Sequence, residues 1–161
     1  MQIFYKFINK LSLWGAYLGA IALVSLTLLI LTEIFIRYFF NMSTMIADEY
    51  SGYLYLASIF LGLAYTFNED AHIRINIITS KMSEKSNRLI DVVSGSFTIV
   101  ILLFAFYRTI LFTYDSYSMD MLSESVSATP LYLTQLVMPL GILIFILSVL
   151  VFVLRRLKND K

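Results

Sequence analysis

The sequence predicts an all-α integral membrane protein. Four transmembrane helices leave both termini in the cytoplasm. An N-terminal amphipathic helix and a membrane-lying connector between helices two and three complete the single domain. Three observations predict this. Of 161 residues, 59% are hydrophobic and only 14% are charged, against about 25% charged in an ordinary soluble domain, and mean hydropathy is +0.79. Four uninterrupted apolar stretches each approach the ~20 residues that carry a helix across a ~30 Å hydrocarbon core. The basic residues also sort to one set of loops. Helix is the spanning structure because a lone strand in lipid leaves its backbone polar groups unpaired.

The elements follow in chain order. Residues 2–11 place Ile3, Phe4, Phe7, Ile8 and Leu11 on one helical face, with Lys6, Asn9 and Lys10 opposite, the interfacial segment itself being about 2–10. That pattern predicts an interfacial amphipathic helix. The first span covers about 11–40. Its apolar run exceeds the 7–15 residues of a signal-peptide core and leads into Glu33–Phe40 without a small-residue cleavage pattern, so a retained helix is expected. The second span covers about 49–67, with Glu49 at its start, where a carboxylate suits the helix dipole. The third covers about 91–115 and the fourth about 130–155. Pro130 suits a first helical turn with Thr129 as its cap. Pro139, followed by Gly141, predicts a kink or a close helix contact.

Orientation comes from arginine and lysine. Lys6 and Lys10 precede the first span, Arg74, Lys81, Lys85 and Arg88 separate the second from the third, and Arg155, Arg156, Lys158 and Lys161 follow the fourth. The opposite loops carry Asp48, Glu49, Asp115, Asp120 and Glu124 without a basic residue. The positive-inside rule then places both termini in the cytoplasm. Trp14, Tyr38, Tyr65 and Tyr132 lie near span boundaries as interfacial anchors.

Between the second and third spans the chain reads NEDAHIRINII, Asn68 to Ile78, and holds the single histidine, His72. A metal or catalytic role for His72 is disfavoured. No second histidine and no cysteine is available as a ligand, and no nucleophile elbow accompanies it. Arg74 helps to fix topology, and the isoleucines give the segment an apolar face. Residues 71–90 are therefore expected to lie along the membrane and brace the neighbouring helices. Helical and alternating readings of the segment both remain open.

A transporter generally places ionisable groups or broken helices near the bilayer midplane. Here the span centres are aliphatic, aromatic, small or hydroxylated. Glu33 and Arg37 lie toward the outer end of the first span, in the favourable order for an i,i+4 ion pair. They form either a surface pair or an intersubunit contact. Arg108 lies roughly 24 Å along the third span from Val92, near the outer headgroups, where arginine can snorkel. Gly15 and Gly19, and Ser58 and Gly62, form small-xxx-small pairs that permit close helix approach. No enzymatic activity, resident cofactor or nucleic-acid partner is expected. Glu33, Arg37, Glu49, His72, Arg74 and Arg108 are the candidate interface or anchor residues.

The ordered end motifs resemble the small membrane subunit (the Q, or DctQ-like, subunit) of tripartite ATP-independent periplasmic (TRAP) transporters. The resemblance spans about residues 10–155. It rests on Glu33 with Arg37-Tyr38, on Asp48-Glu49, and on Phe60-Leu61-Gly62-Leu63-Ala64. It continues in His72-Ile73-Arg74-Ile75-Asn76, Ser127-Ala128-Thr129-Pro130-Leu131 and Pro139-Leu140-Gly141. Asn76 stands where the family often has Asp, and Leu131-Tyr132 where a tryptophan often follows the proline. The resemblance implies a scaffold subunit in the bacterial inner membrane. Its partners would be membrane lipid, a large multi-spanning subunit that binds substrate and Na⁺, and a periplasmic binding protein. The expected cargo is a carboxylate-bearing metabolite, of the C4-dicarboxylate or sialic-acid type. Two other readings are a self-sufficient four-helix transporter acting as a homodimer, with Glu33 as its carboxylate, and a membrane anchor for a redox enzyme.

Overall fold

The computed structural model describes residues 2–69 and 83–158. They form five helices: α1 (Gln2–Phe40), α2 (Ala47–Asn68), α3 (Glu84–Ser118), α4 (Leu131–Gln135) and α5 (Val137–Lys158). No strand occurs among the described residues. A single antiparallel bridge, Leu122 with Pro130, closes the loop between α3 and α4. Three helical stretches are long and apolar enough to cross a membrane: Ile3–Phe40, Lys85–Ser118 and Leu131–Lys158. α2 is a continuous helix whose apolar run is broken by Tyr, Ser and Gly, and it packs along both α1 and α5. α3 is the outlying helix, seated along α5 and against α4.

α1 runs unbroken through residues 2–10, which are its opening turns and not a separate segment. Its inner face is a seam of mostly small and polar residues. Tyr5, Ile8, Ser12, Gly15, Gly19 and Ala22 are buried, and the same alternation of three and four residues reaches Glu33. This is the heptad spacing of a helix seam. Of the apolar face expected here, Ile8 is on this seam, while Ile3 and Phe7 are 85% and 62% exposed. The physical reason is that lipid is as apolar as leucine, so a membrane bundle gains most by turning small and hydroxylated residues inward.

Glycine sets the helix spacing. A Cβ added at Gly15 would stand 2.8 Å from the Leu61 carbonyl oxygen, and one at Gly19 would stand 3.0 Å from that of Ser58. On the other side of α2, Gly141 of α5 abuts Phe60. The α2 backbone from Ser58 to Leu61 is thus held between glycine surfaces of two neighbours. Gly62 is different, because a Cβ there would meet open space. The Ser58–Gly62 pair contributes through the Ser58 carbonyl, and the Ser58 hydroxyl turns back on Tyr55 of its own helix.

The expected distortion near Pro139 falls one turn earlier, at Leu136, where α4 gives way to α5. Proline has no N–H to donate to the carbonyl of Gln135, and its ring crowds that carbonyl. The Leu136 and Leu140 amides still reach Tyr132 and Leu136, so the two helices follow one another closely. Pro130 itself occupies the cap position of α4 without a side-chain cap, and Thr129, expected to cap, is used elsewhere. α3 begins at Glu84, capped by the Ser83 hydroxyl, which accepts from the Ser86 amide. Residues 84–90, expected to lie along the membrane, are therefore its first turns. The remainder of that expected connector, 71–82, including His72 and Arg74, lies outside the described residues.

One end of the bundle is basic. Arg156 pairs with Asp91 at 3.0 Å, and Arg88 donates to the Leu157 carbonyl, tying α3 to α5. The Arg155 guanidinium lies 4.8 Å from the centre of the Tyr5 ring, tying α5 to α1. Tyr5, Ile8 and Val151 form the small apolar core at this end, with Leu147 against it.

Candidate functional site

The opposite end holds two carboxylate cages. The first surrounds Glu33, which is 6% exposed. Arg37, one turn later, donates from Nε to Glu33 Oε1 at 2.6 Å. Ser43 donates to the same oxygen at 2.7 Å. The Thr44 amide donates to Oε2 at 3.1 Å, and the Thr44 hydroxyl donates there too. Arg37 also reaches Ser43 at 3.3 Å and Asp48 at 3.9 Å. A carboxylate has about four lone-pair sites, and all are engaged. Helix α1 stops at Asn41, whose φ of 50° turns the chain back, and Met45 with φ of 58° makes a second turn. Between them Ser43 and Thr44 face the carboxylate. The cage therefore fastens the end of α1 to the start of α2.

The second cage surrounds Glu49, in the first turn of α2. Tyr53, one turn on, donates to Oε1 at 2.6 Å. Ser127 donates to Oε2 at 2.5 Å, and Ser125 donates to the same oxygen. The Thr129 hydroxyl joins Ser127 at 2.8 Å and Tyr50 at 3.2 Å. The loop that supplies these hydroxyls alternates strictly: Ser123, Ser125, Ser127 and Thr129 are half-buried, while Glu124, Val126 and Ala128 are exposed. The bridge at Leu122 and the bond from the Ser123 amide to the Thr129 carbonyl, 2.9 Å, hold it closed. Three hydroxyls, of Ser125, Ser127 and Tyr53, point at one carboxylate. Glu49 is thus not simply a helix-start charge. It links α2 to the distant loop before α4.

The sequence-predicted residues divide accordingly. Glu33 and Arg37 come together in the first cage, and Glu49 anchors the second. Arg108 belongs to neither. It is exposed on α3 and has no ion-pair partner among the described residues. Tyr117 of α3 stacks edge-on against Tyr132 of α4, and Arg108 lies about 14 Å down α3 from that pair at 1.5 Å per residue. The sequence reading missed Ser43, Thr44, Tyr53 and the Ser123–Thr129 hydroxyls. The period-two alternation of Ser and Thr was visible, although the carboxylate it serves is far away in sequence.

In both cages the carboxylate is engaged by the chain's own donors, four on Glu33 and three on Glu49. No cluster of metal-ligating side chains occurs among the described residues. The chemistry is that of a lock between helices.

The comparisons with known proteins agree with an all-helical membrane component. The chain is 23% identical over 121 residues to a TRAP transporter small permease protein of Haemophilus influenzae, covering 75% of this chain and 73% of that protein. It is 33% identical over 82 residues to a second small permease protein of the same organism, where the match spans about half of each chain, 51% and 49%. The family model for the DctQ component of tripartite ATP-independent periplasmic transporters matches residues 26–159. That match takes in both cages, α2, α3 and α5, and the chain belongs to the DctQ family.

Proposed function

We propose that this chain is a non-catalytic scaffold subunit of a Na⁺-driven TRAP importer in the bacterial inner membrane. A large membrane subunit carries the substrate and Na⁺ sites and moves against the immobile platform that this chain enlarges. A periplasmic binding protein delivers a carboxylate-bearing metabolite, of the C4-dicarboxylate or sialic-acid type. In this reading α2 is the fourth span: its 22 residues extend about 33 Å at 1.5 Å per residue. The basic end, with Lys6, Lys10, Lys85, Arg88, Arg155 and Arg156, faces the cytoplasm by the positive-inside rule. The two cages then face the periplasm.

The observation that carries the reading, beside family membership, is the engagement of Glu33. A self-sufficient proton-coupled exporter needs a carboxylate free to exchange its proton within the span. Glu33 instead accepts from Arg37, Ser43 and Thr44. The test is reconstitution of the large subunit in liposomes with the binding protein, with and without this chain. Na⁺-driven uptake of a labelled substrate should require the chain. Undiminished uptake in its absence would sink the proposal.

A further inference from the structure

We propose that Arg108 is the docking point of the large subunit: a membrane helix of that subunit lies along the exposed face of α3 and presents a carboxylate to the Arg108 guanidinium within the bilayer. This rests on the reading of the chain as one subunit of a larger membrane complex. The first observation is the isolation of a charge. Arg108 is exposed and has no ion-pair partner among the described residues, while the other arginines described, Arg37, Arg88, Arg155 and Arg156, are engaged within the chain.

The second observation is depth. At the basic end Gly95 meets Val153, where a Cβ would stand 2.5 Å from Val153 Cγ2. Arg108 lies about 20 Å along α3 from that contact. It lies about 14 Å short of the Tyr117–Tyr132 pair at the other end. This places its backbone inside the apolar zone, between Phe104 and Phe112, which are 68% and 54% exposed. The third observation is direction. Helix Cβ atoms tilt toward the N-terminus, so on α3 the Arg108 side chain sets out toward the membrane interior and away from the acidic end. Snorkelling to the nearer polar layer works against its own geometry. A bare charge in hydrocarbon is expensive, and a paired, hydrogen-bonded one is not.

The fourth observation is the surface around it. Phe97, Ile101, Phe104, Arg108, Phe112 and Asp115 recur every three or four residues, and all are exposed. That is the spacing of a seam for another helix.

The test places a benzoyl-phenylalanine photocrosslinker in place of Phe104 or Phe112 and uses the full chain co-expressed with the large subunit. Both positions should yield adducts with the large subunit. Arg108→Leu should lower the large subunit recovered with the chain by roughly tenfold or more, as loss of a desolvated charge pair does, and Arg108→Lys should recover part of it. Adducts with lipid alone, or with a second copy of this chain, would overturn the inference. So would an Arg108→Leu chain that retains the large subunit as the wild type does. If Arg108 faced lipid, leucine would leave the complex intact or improve it, so the two cases separate. A wild-type chain that retains no large subunit would overturn the proposed function as well, which distinguishes that failure from failure at Arg108 alone.

Discussion

Gly141 of α5 lies directly against the backbone of Phe60 in α2. A Cβ at residue 141 would stand 2.4 Å from the Phe60 carbonyl oxygen and 2.7 Å from its carbonyl carbon. Both obstacles are backbone, which cannot swing aside as a side chain can. Two turns of helix must separate before any side chain fits there.

Gly141→Ala should therefore destabilise the chain by about 1–3 kcal/mol, the usual cost of overpacking. Gly62→Ala, on the facing helix, should be neutral or stabilise by up to about 1 kcal/mol, because alanine is the better helix former and a Cβ there meets nothing. Thermal unfolding in detergent, followed by helical circular dichroism, compares the two. Equal effects would show that the α2–α5 contact is looser than the structure has it.

The contrast between these glycines also explains what the sequence could reveal. Hydropathy made the long apolar helices legible, and the sorting of Lys and Arg made the basic end legible, because both reflect the membrane itself. The helix seams were less so. Ile3, Phe4, Phe7, Ile8 and Leu11 formed a convincing apolar face, yet only Ile8 of them is buried, beside Tyr5 and Ser12. Hydrophobicity does not distinguish a lipid-facing residue from a buried one when the solvent is hydrocarbon. The local half of the first cage, Glu33 with Arg37, was visible as an i,i+4 pair. Ser43 and Thr44 were not, because their approach depends on the left-handed turns at Asn41 and Met45. The second cage joins Glu49 to Ser125 and Ser127 across 76 and 78 residues of sequence. Nothing in one sequence announces that pairing.

Glu33→Gln should loosen the junction between α1 and α2. A glutamine keeps one acceptor oxygen but sets an NH₂ group against the Thr44 amide and hydroxyl or against Arg37, all of which are donors. The variant should unfold several degrees below the wild type. Ser43→Ala should cost less, since Thr44 and Arg37 would still hold the carboxylate. A Glu33→Gln chain with unchanged Tm would show that the cage contributes nothing to the fold.

Ala128→Gly should stabilise the loop of the second cage. Ala128 has φ of 45°, a conformation that costs an L-residue roughly 1–2 kcal/mol and costs glycine almost nothing. Greater freedom of glycine in the unfolded chain takes back about 0.4–1 kcal/mol. The net gain should be of the order of 1 kcal/mol or less, read as a small rise in Tm. Ala128 is exposed, so no packing is lost with its methyl group. A clear fall in Tm would mean that the backbone at residue 128 is not held in the left-handed region.

Glu49→Gln should loosen the second cage. A glutamine keeps one acceptor oxygen but sets an NH₂ group toward either Tyr53 or the pair Ser125 and Ser127, all of which donate to the carboxylate. The variant should therefore unfold below the wild type in detergent at neutral pH. Because the cage joins α2 to the loop before α4, Ser125→Ala with Ser127→Ala should also lower Tm, and adding them to Glu49→Gln should cost less than the sum of the separate effects. Strict additivity of these changes would show that the hydroxyls and the carboxylate do not act as one lock.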